Sequence, residues 1–170
     1  QGFIYKTIDE KLAAFLHRKG YGEGRLFKLF CFSKLLGKAD TKSNPGNIIF
    51  DSRISLEISS PIDEFCESFA NGLFKKTLLL GNNLLEVASI KIDKQEINSE
   101  NICLEILSPV TAYSTLLKAD GSKYTCYFQP GEEDFRRIVE ENLRKKYRAF
   151  TGYQPPTGNI CINPLQQPRQ

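Results

Sequence analysis

The chain has no methionine, no tryptophan, one histidine, His17, and five cysteines that never stand close together. Zinc and redox sites built on closely spaced ligand pairs are therefore excluded, and no metal site is expected. Cys31, Cys66, Cys103, Cys126 and Cys161 read as buried free thiols in a reducing cytoplasm. Uninterrupted apolar runs are short. Thr77 to Leu80 falls far below the roughly 20 residues of a membrane helix, so no span and no membrane partner is expected. The run Gly20-Tyr-Gly-Glu-Gly24 lacks the third glycine of a dinucleotide fingerprint and follows a helix instead of a strand, so it reads as a connecting loop and no cofactor is expected. The opening residues, from Gln1, read as the middle of a helix and not as a signal peptide, which suggests an interior piece of a longer protein.

What is present is ordinary for a globular protein: 170 residues, 41% hydrophobic and 25% charged, enough for one domain or two small ones. The net charge of +3 is unevenly spread. Residues 1–50 hold nine Lys/Arg against four Asp/Glu, residues 51–110 five against ten, and residues 111–170 nine against six. In the first stretch the cations alternate with Tyr5, Phe15, Tyr21, Phe27 and Phe30. Cations with interleaved rings suit a polyanion that carries stackable bases, although a solvated face over an aromatic core has the same composition.

Apolar residues at near-helical spacing predict one amphipathic helix from Gln1 to about His17. Alternation from Arg25 to Leu36, the turn signal Asn44-Pro-Gly46 and a second apolar stretch from Ile48 to Ile58 predict a hairpin. A helix follows from Ser59-Ser-Pro61, then Gly81-Asn-Asn83 turns into a strand from Leu84 to Ile92. Residues 93–101 read as a linker. Beyond it come a strand from Ile102 to Leu107, broken at Ser108-Pro109 and continuing to about Leu117, a turn at Asp120-Gly121, a strand from Lys123 to Phe128, and a helix from Gly131 to Phe150. The order predicts an α+β protein of tandem ferredoxin-like (split βαβ) domains, 1–100 without its first strand and 101–170 an incomplete second copy.

Several stretches then gain meaning together: Gln1-Gly-Phe-Ile-Tyr5, Leu16-His17, Lys28-Leu-Phe-Cys-Phe-Ser33, Ile58-Ser-Ser-Pro61, Leu107-Ser-Pro-Val110, Tyr124-Thr-Cys-Tyr-Phe-Gln-Pro130 and Asn142-Leu-Arg-Lys-Lys-Tyr147. In this order they resemble the CRISPR-associated endoribonucleases, of the repeat-associated mysterious protein superfamily, that cut repeat RNA into guide RNAs. The resemblance implies two ferredoxin-like folds and a metal-independent cleavage by 2′-hydroxyl attack, leaving 2′,3′-cyclic phosphate and 5′-hydroxyl ends. It implies a catalytic set of Tyr5, His17 and Lys28; Arg18, Lys19, Arg25 and Lys34, from the basic first stretch, are the expected RNA contacts. These residue types suit the chemistry. A proton must leave the 2′-hydroxyl, another must reach the departing 5′-oxygen, and a cation should offset charge on the phosphorane. A histidine, with an ordinary pKa of about 6.5, can serve in either transfer. On a continuous 3.6-residue helix, however, Tyr5 and His17 stand about 120° apart. The implied partners are CRISPR repeat RNA, other subunits of an RNA-guided effector complex and a second copy of the chain. A glycine-rich segment carried by family members near their C-terminus is not found after Gly158. The alternative reading is a non-catalytic RNA-binding subunit of an antiviral ribonucleoprotein complex.

Overall fold

In the computed structural model, which describes residues 1–43 and 46–165, the chain is α+β, as the order of its elements predicts. It divides into two compact units, one of Gln1–Gly20 with Lys28–Ser108 and one of Tyr21–Phe27 with Pro109–Gln170. The turn residues Asn44 and Pro45 lie outside the described residues.

The first unit opens with two helices, α1 (Gly2–Thr7) and α2 (Glu10–Arg18), where the periodicity predicts one. The same apolar positions are nevertheless buried: Ile4, Ile8, Leu12 and Leu16. Each such side chain contributes about 1.5–3 kcal/mol by leaving water. The helix is interrupted at Ile8, whose backbone is extended, and Asp9, whose carboxylate accepts hydrogen bonds from the amides of Lys11 and Leu12 and so caps α2. A short acidic side chain that satisfies amides in this way favours a new helix start over continuation.

Short ladders follow. Strand β1 (Cys31–Phe32) pairs antiparallel with β4 (Ile58–Ser59), and β2 (Ala39–Asp40) with β3 (Ile49–Phe50), with a single bridge between Leu36 and Ser55. The expected long hairpin is therefore an interrupted one. Its first arm departs from a plain strand at Leu29, which is held at φ 51. Helix α3 (Asp63–Lys75) buries Phe65 and leads into β5 (Leu78–Leu80), which pairs with β6 (Asn83–Leu85). The expected strand from Ile102 to Leu107 forms no ladder among the described residues, and Ile102, Leu104 and Ile106 are exposed. Alternation marks a strand only where a neighbour supplies the hydrogen bonds and a covering face.

In the second unit β7 (Ala112–Leu117) and β8 (Lys123–Phe128) form a regular hairpin, from Ala112 opposite Phe128 to Leu117 opposite Lys123. The Asp120 carboxylate accepts the Ser122 amide in the turn. Helix α4 (Glu133–Thr151) ends at Gly152, whose φ of 77 is the left-handed conformation that glycine adopts without penalty. Tyr21 and Phe27 exchange backbone hydrogen bonds of 2.7 and 2.8 Å around the glycine loop. A side chain at Gly22 would meet the Arg25 carbonyl and the Ala149 methyl at about 3 Å. The five cysteines are free, but four are exposed and Cys126 is half-buried, because they stand on short ladders and loops or, for Cys66, on a solvent-facing position of α3. Among the described residues no helix is long and apolar enough to cross a membrane.

Candidate functional site

The interruption between α1 and α2 determines which side chains meet. Because the chain restarts at Asp9, Tyr5 and His17 are no longer bound to the 120° separation of one continuous helix. Their rings lie edge to face, with centroids 6.0 Å apart and planes at 75°. The Lys28 ammonium donates to the backbone carbonyl of His17 at 3.3 Å. Tyr5, His17 and Lys28 are thus brought together from α1, α2 and the segment before β1, with His17 exposed and the other two half-buried.

Two features position this group. Phe30 presents a ring to Tyr5 at 6.0 Å and 85°, and it also stacks on buried Phe65 at 4.7 Å. Between Lys28 and Phe30, buried Leu29 takes its left-handed conformation, which costs roughly 1–2 kcal/mol for a residue with a side chain. The Ser60 hydroxyl holds it by donating to the Leu29 carbonyl at 2.8 Å while accepting the Ile62 amide at 3.0 Å. Gln1 adds a weak contact, its side-chain amide 3.4 Å from the Tyr5 hydroxyl.

The interruption itself rests on α3. The Asp9 amide donates to the Ser68 hydroxyl at 2.7 Å, and the Lys76 ammonium donates to the carbonyls of Lys6 and Ile8 at 3.0 and 2.6 Å. Between them, Gly72 lies so close to the Thr7 carbonyl that a β-carbon there would overlap the oxygen. Ser68, Gly72 and Lys76 recur every four residues and so form one stripe that supports the helix junction. Sequence reasoning did not single them out. The four-residue spacing on an otherwise apolar-patterned helix is the signal that could have done so. At the junction, hydrogen bonds from the Leu12 and Lys11 amides hold the Asp9 carboxyl below its ordinary value of 3.8.

The other expected RNA contacts are dispersed. Arg18 ends α2 and Lys19 follows it, both exposed. Lys34 is exposed, and its amide donates to the Ser108 hydroxyl. Arg25 belongs to the second unit, with its guanidinium 5.5 Å from the centre of the Phe27 ring.

Residues 63–170 match the family described as CRISPR associated protein Cas6, C-terminal. The chain belongs to the Cas6 family. The catalytic candidates of this Cas6-family chain precede the matched stretch. Over 148 residues the chain is 34% identical to CRISPR-associated endoribonuclease Cas6 1 of Methanocaldococcus jannaschii, an alignment that covers 86% of this chain and 56% of that protein. The chain thus spans about half the length of this curated relative. Among solved structures, one described as a CRISPR associated protein Cas6 superposes with a TM-score of 0.60 at 27% identity, over 91% of this chain and 63% of the other. A Cas6-related protein from Pyrococcus furiosus gives 0.66 at 21% identity, over 91% and 62%. A RAMP protein described as binding different RNA substrates gives 0.67 at 21%, over 91% and 63%. These last two likenesses are of fold. Together with the element order, they place the Cas6-family chain in the ferredoxin-like class.

Proposed function

We propose that this chain cleaves CRISPR repeat RNA to guide RNAs by a metal-independent reaction centred on His17. A ribose 2′-oxygen bonds to the adjacent phosphorus while the bond to the 5′-oxygen breaks, giving a 2′,3′-cyclic phosphate and a 5′-hydroxyl. His17 carries one of the two proton transfers and the Tyr5 phenol faces the other oxygen. Lys28 supplies the positive charge that the phosphorane requires. Arg18, Lys19, Lys34 and Arg25 contact RNA phosphates, and the ferredoxin-like domains are 1–100, without its first strand, and 101–170, an incomplete second one. The reaction takes place in the cytoplasm, where other effector subunits or a second copy are the protein partners. The observation that carries the reading is the convergence on His17 of the Tyr5 ring and the Lys28 ammonium. The name of the Methanocaldococcus jannaschii relative, an endoribonuclease, supports it.

The test is cleavage of cognate repeat RNA in a chelating buffer by the wild-type chain and by His17→Ala. Loss of a general acid or base lowers the rate about 10²- to 10⁴-fold. Undiminished cleavage by His17→Ala overturns the assignment.

A further inference from the structure

The β7–β8 hairpin has one face that contributes nothing to the second unit's core. Tyr113, Thr115 and Leu117 alternate on β7, and their partners Tyr127, Thr125 and Lys123 alternate on β8. All six are exposed, whereas on the opposite face Ala112, Ser114, Cys126 and Phe128 are buried or half-buried and only Leu116 and Tyr124, toward the turn, are exposed. Tyr113 and Tyr127 are 56% and 67% exposed, with ring centroids 5.8 Å apart and planes tilted by 50°. The face includes Lys123 and no carboxylate. The nearest acid in the hairpin, Asp120, is engaged in the turn, where hydrogen bonds from Ser122 hold its carboxyl below the ordinary range.

We propose that this face is a stacking platform for unpaired RNA bases, one on Tyr113 and one on Tyr127, with Lys123 meeting the phosphate backbone. The proposal rests on the RNA-processing reading and adds a site remote in sequence from His17. Aromatic rings on an open sheet face offer π surfaces to splayed bases of any sequence. Their tilt gives each ring its own base. The positive, carboxylate-free face complements a phosphate chain, which favours nucleic acid over an apolar protein partner. Lys123 lies four residues along β8 from Tyr127, about 13 Å at the rise of a strand.

A cross-strand tyrosine pair that only stabilises the hairpin would leave RNA affinity unchanged. The discriminating measurement is the affinity of the full chain for fluorescein-labelled single-stranded oligoadenylate, for the wild type, Tyr113→Ala, Tyr127→Ala, the double alanine variant, the double phenylalanine variant and Lys123→Ala. Circular dichroism checks that each is folded. Each alanine should weaken binding roughly tenfold, and the phenylalanine pair should bind like the wild type. The tyrosine losses should persist at raised salt, while the loss from Lys123→Ala should fade. Wild-type affinity in a folded double alanine variant overturns the proposal, and a changed oligomeric state would then mark the face as a contact between copies. Equal loss from phenylalanine and alanine also overturns it. Repeat-RNA cleavage measured in parallel keeps the two readings apart: cleavage with tyrosine-independent binding removes only the platform, and tyrosine-dependent binding without cleavage removes only the nuclease.

Discussion

The Lys76 ammonium, at the C-terminal end of α3, donates to the Ile8 carbonyl at 2.6 Å and spans 68 residues of sequence to do so. Ile8 is where α1 stops, so its carbonyl and that of Lys6 are among those a helix end leaves without intrahelical partners. Lys76→Met keeps the aliphatic stem and removes the donor. It should lower stability by about 1–2 kcal/mol and reduce RNA cleavage more than RNA binding, because the junction that sets Tyr5 against His17 loosens. Lys76→Arg retains a cation and should recover part of the rate. Urea unfolding and single-turnover cleavage measure the two effects, and equal rates for the methionine and wild-type chains would contradict the link.

Gly72 gives a prediction whose sign depends on magnitude. Replacing a glycine inside a helix with alanine ordinarily gains about 1 kcal/mol. At Gly72 the new β-carbon would overlap the Thr7 carbonyl, and a backbone atom cannot yield as a flexible side-chain tip can. Separation of α1 from α3 should outweigh the propensity gain, with a net loss of about 2 kcal/mol for Gly72→Ala. Gly2, where an added methyl group would meet nothing within 4 Å, is the control, and Gly2→Ala should be neutral or slightly stabilising in the same denaturation assay.

These contacts show which features are legible from sequence. The second hairpin is legible because its turn obeys a local rule: Asp120-Gly121 marks a tight turn between two β-prone arms, with β8 running from Lys123 to Phe128. Helix α4 is legible because its acidic start and basic end agree with the helix dipole. The junction at Asp9 is not. Ile4, Ile8, Leu12 and Leu16 keep a spacing of four through it, so periodicity runs on while the backbone breaks. Its supports, Ser68, Gly72 and Lys76, are 59 to 70 residues distant in the chain. His17 could be named as a candidate only from the resemblance of the surrounding stretches to a known family, and its contact with Tyr5 follows from this long-range support. The strand expected at 102–107 has the right alternation and no ladder partner among the described residues, which no local pattern reveals.

Asp9 adds a pH dependence. Its folded-state pKa is held below the ordinary 3.8, mainly by the Leu12 amide and then by the Lys11 amide. The carboxylate therefore stabilises the fold fully above that ordinary value, and the contribution is lost as pH falls through the lowered one. Asp9→Asn keeps a capping oxygen without the titration. The stability difference between wild type and Asp9→Asn should be constant near neutral pH and shrink as the pH falls below the ordinary 3.8. Asp9→Ala should be less stable than Asp9→Asn throughout. Denaturation midpoints across this range provide the check, and a wild-type to asparagine gap that widens on acidification would contradict the sign.

Ser60 ties the start of α3 to the segment that carries Lys28. Its hydroxyl accepts the Ile62 amide and donates to the carbonyl of Leu29, the residue held at φ 51 between Lys28 and Phe30. A left-handed leucine persists only while its surroundings hold it, here by burial and by this bond. Ser60→Ala should cost about 1 kcal/mol in stability, the ordinary worth of such a hydrogen bond. Its larger effect should be on cleavage, since relaxation at Leu29 moves Lys28 away from the His17 carbonyl and Phe30 away from Tyr5. Ser60→Thr keeps the hydroxyl and should restore the rate. Under single-turnover conditions the alanine variant should bind repeat RNA nearly as well as wild type and cleave it about tenfold more slowly, because a displaced cation loses more transition-state stabilisation than ground-state attraction. Loss of binding and cleavage in equal proportion would mean instead that Ser60 supports the fold and not the position of Lys28.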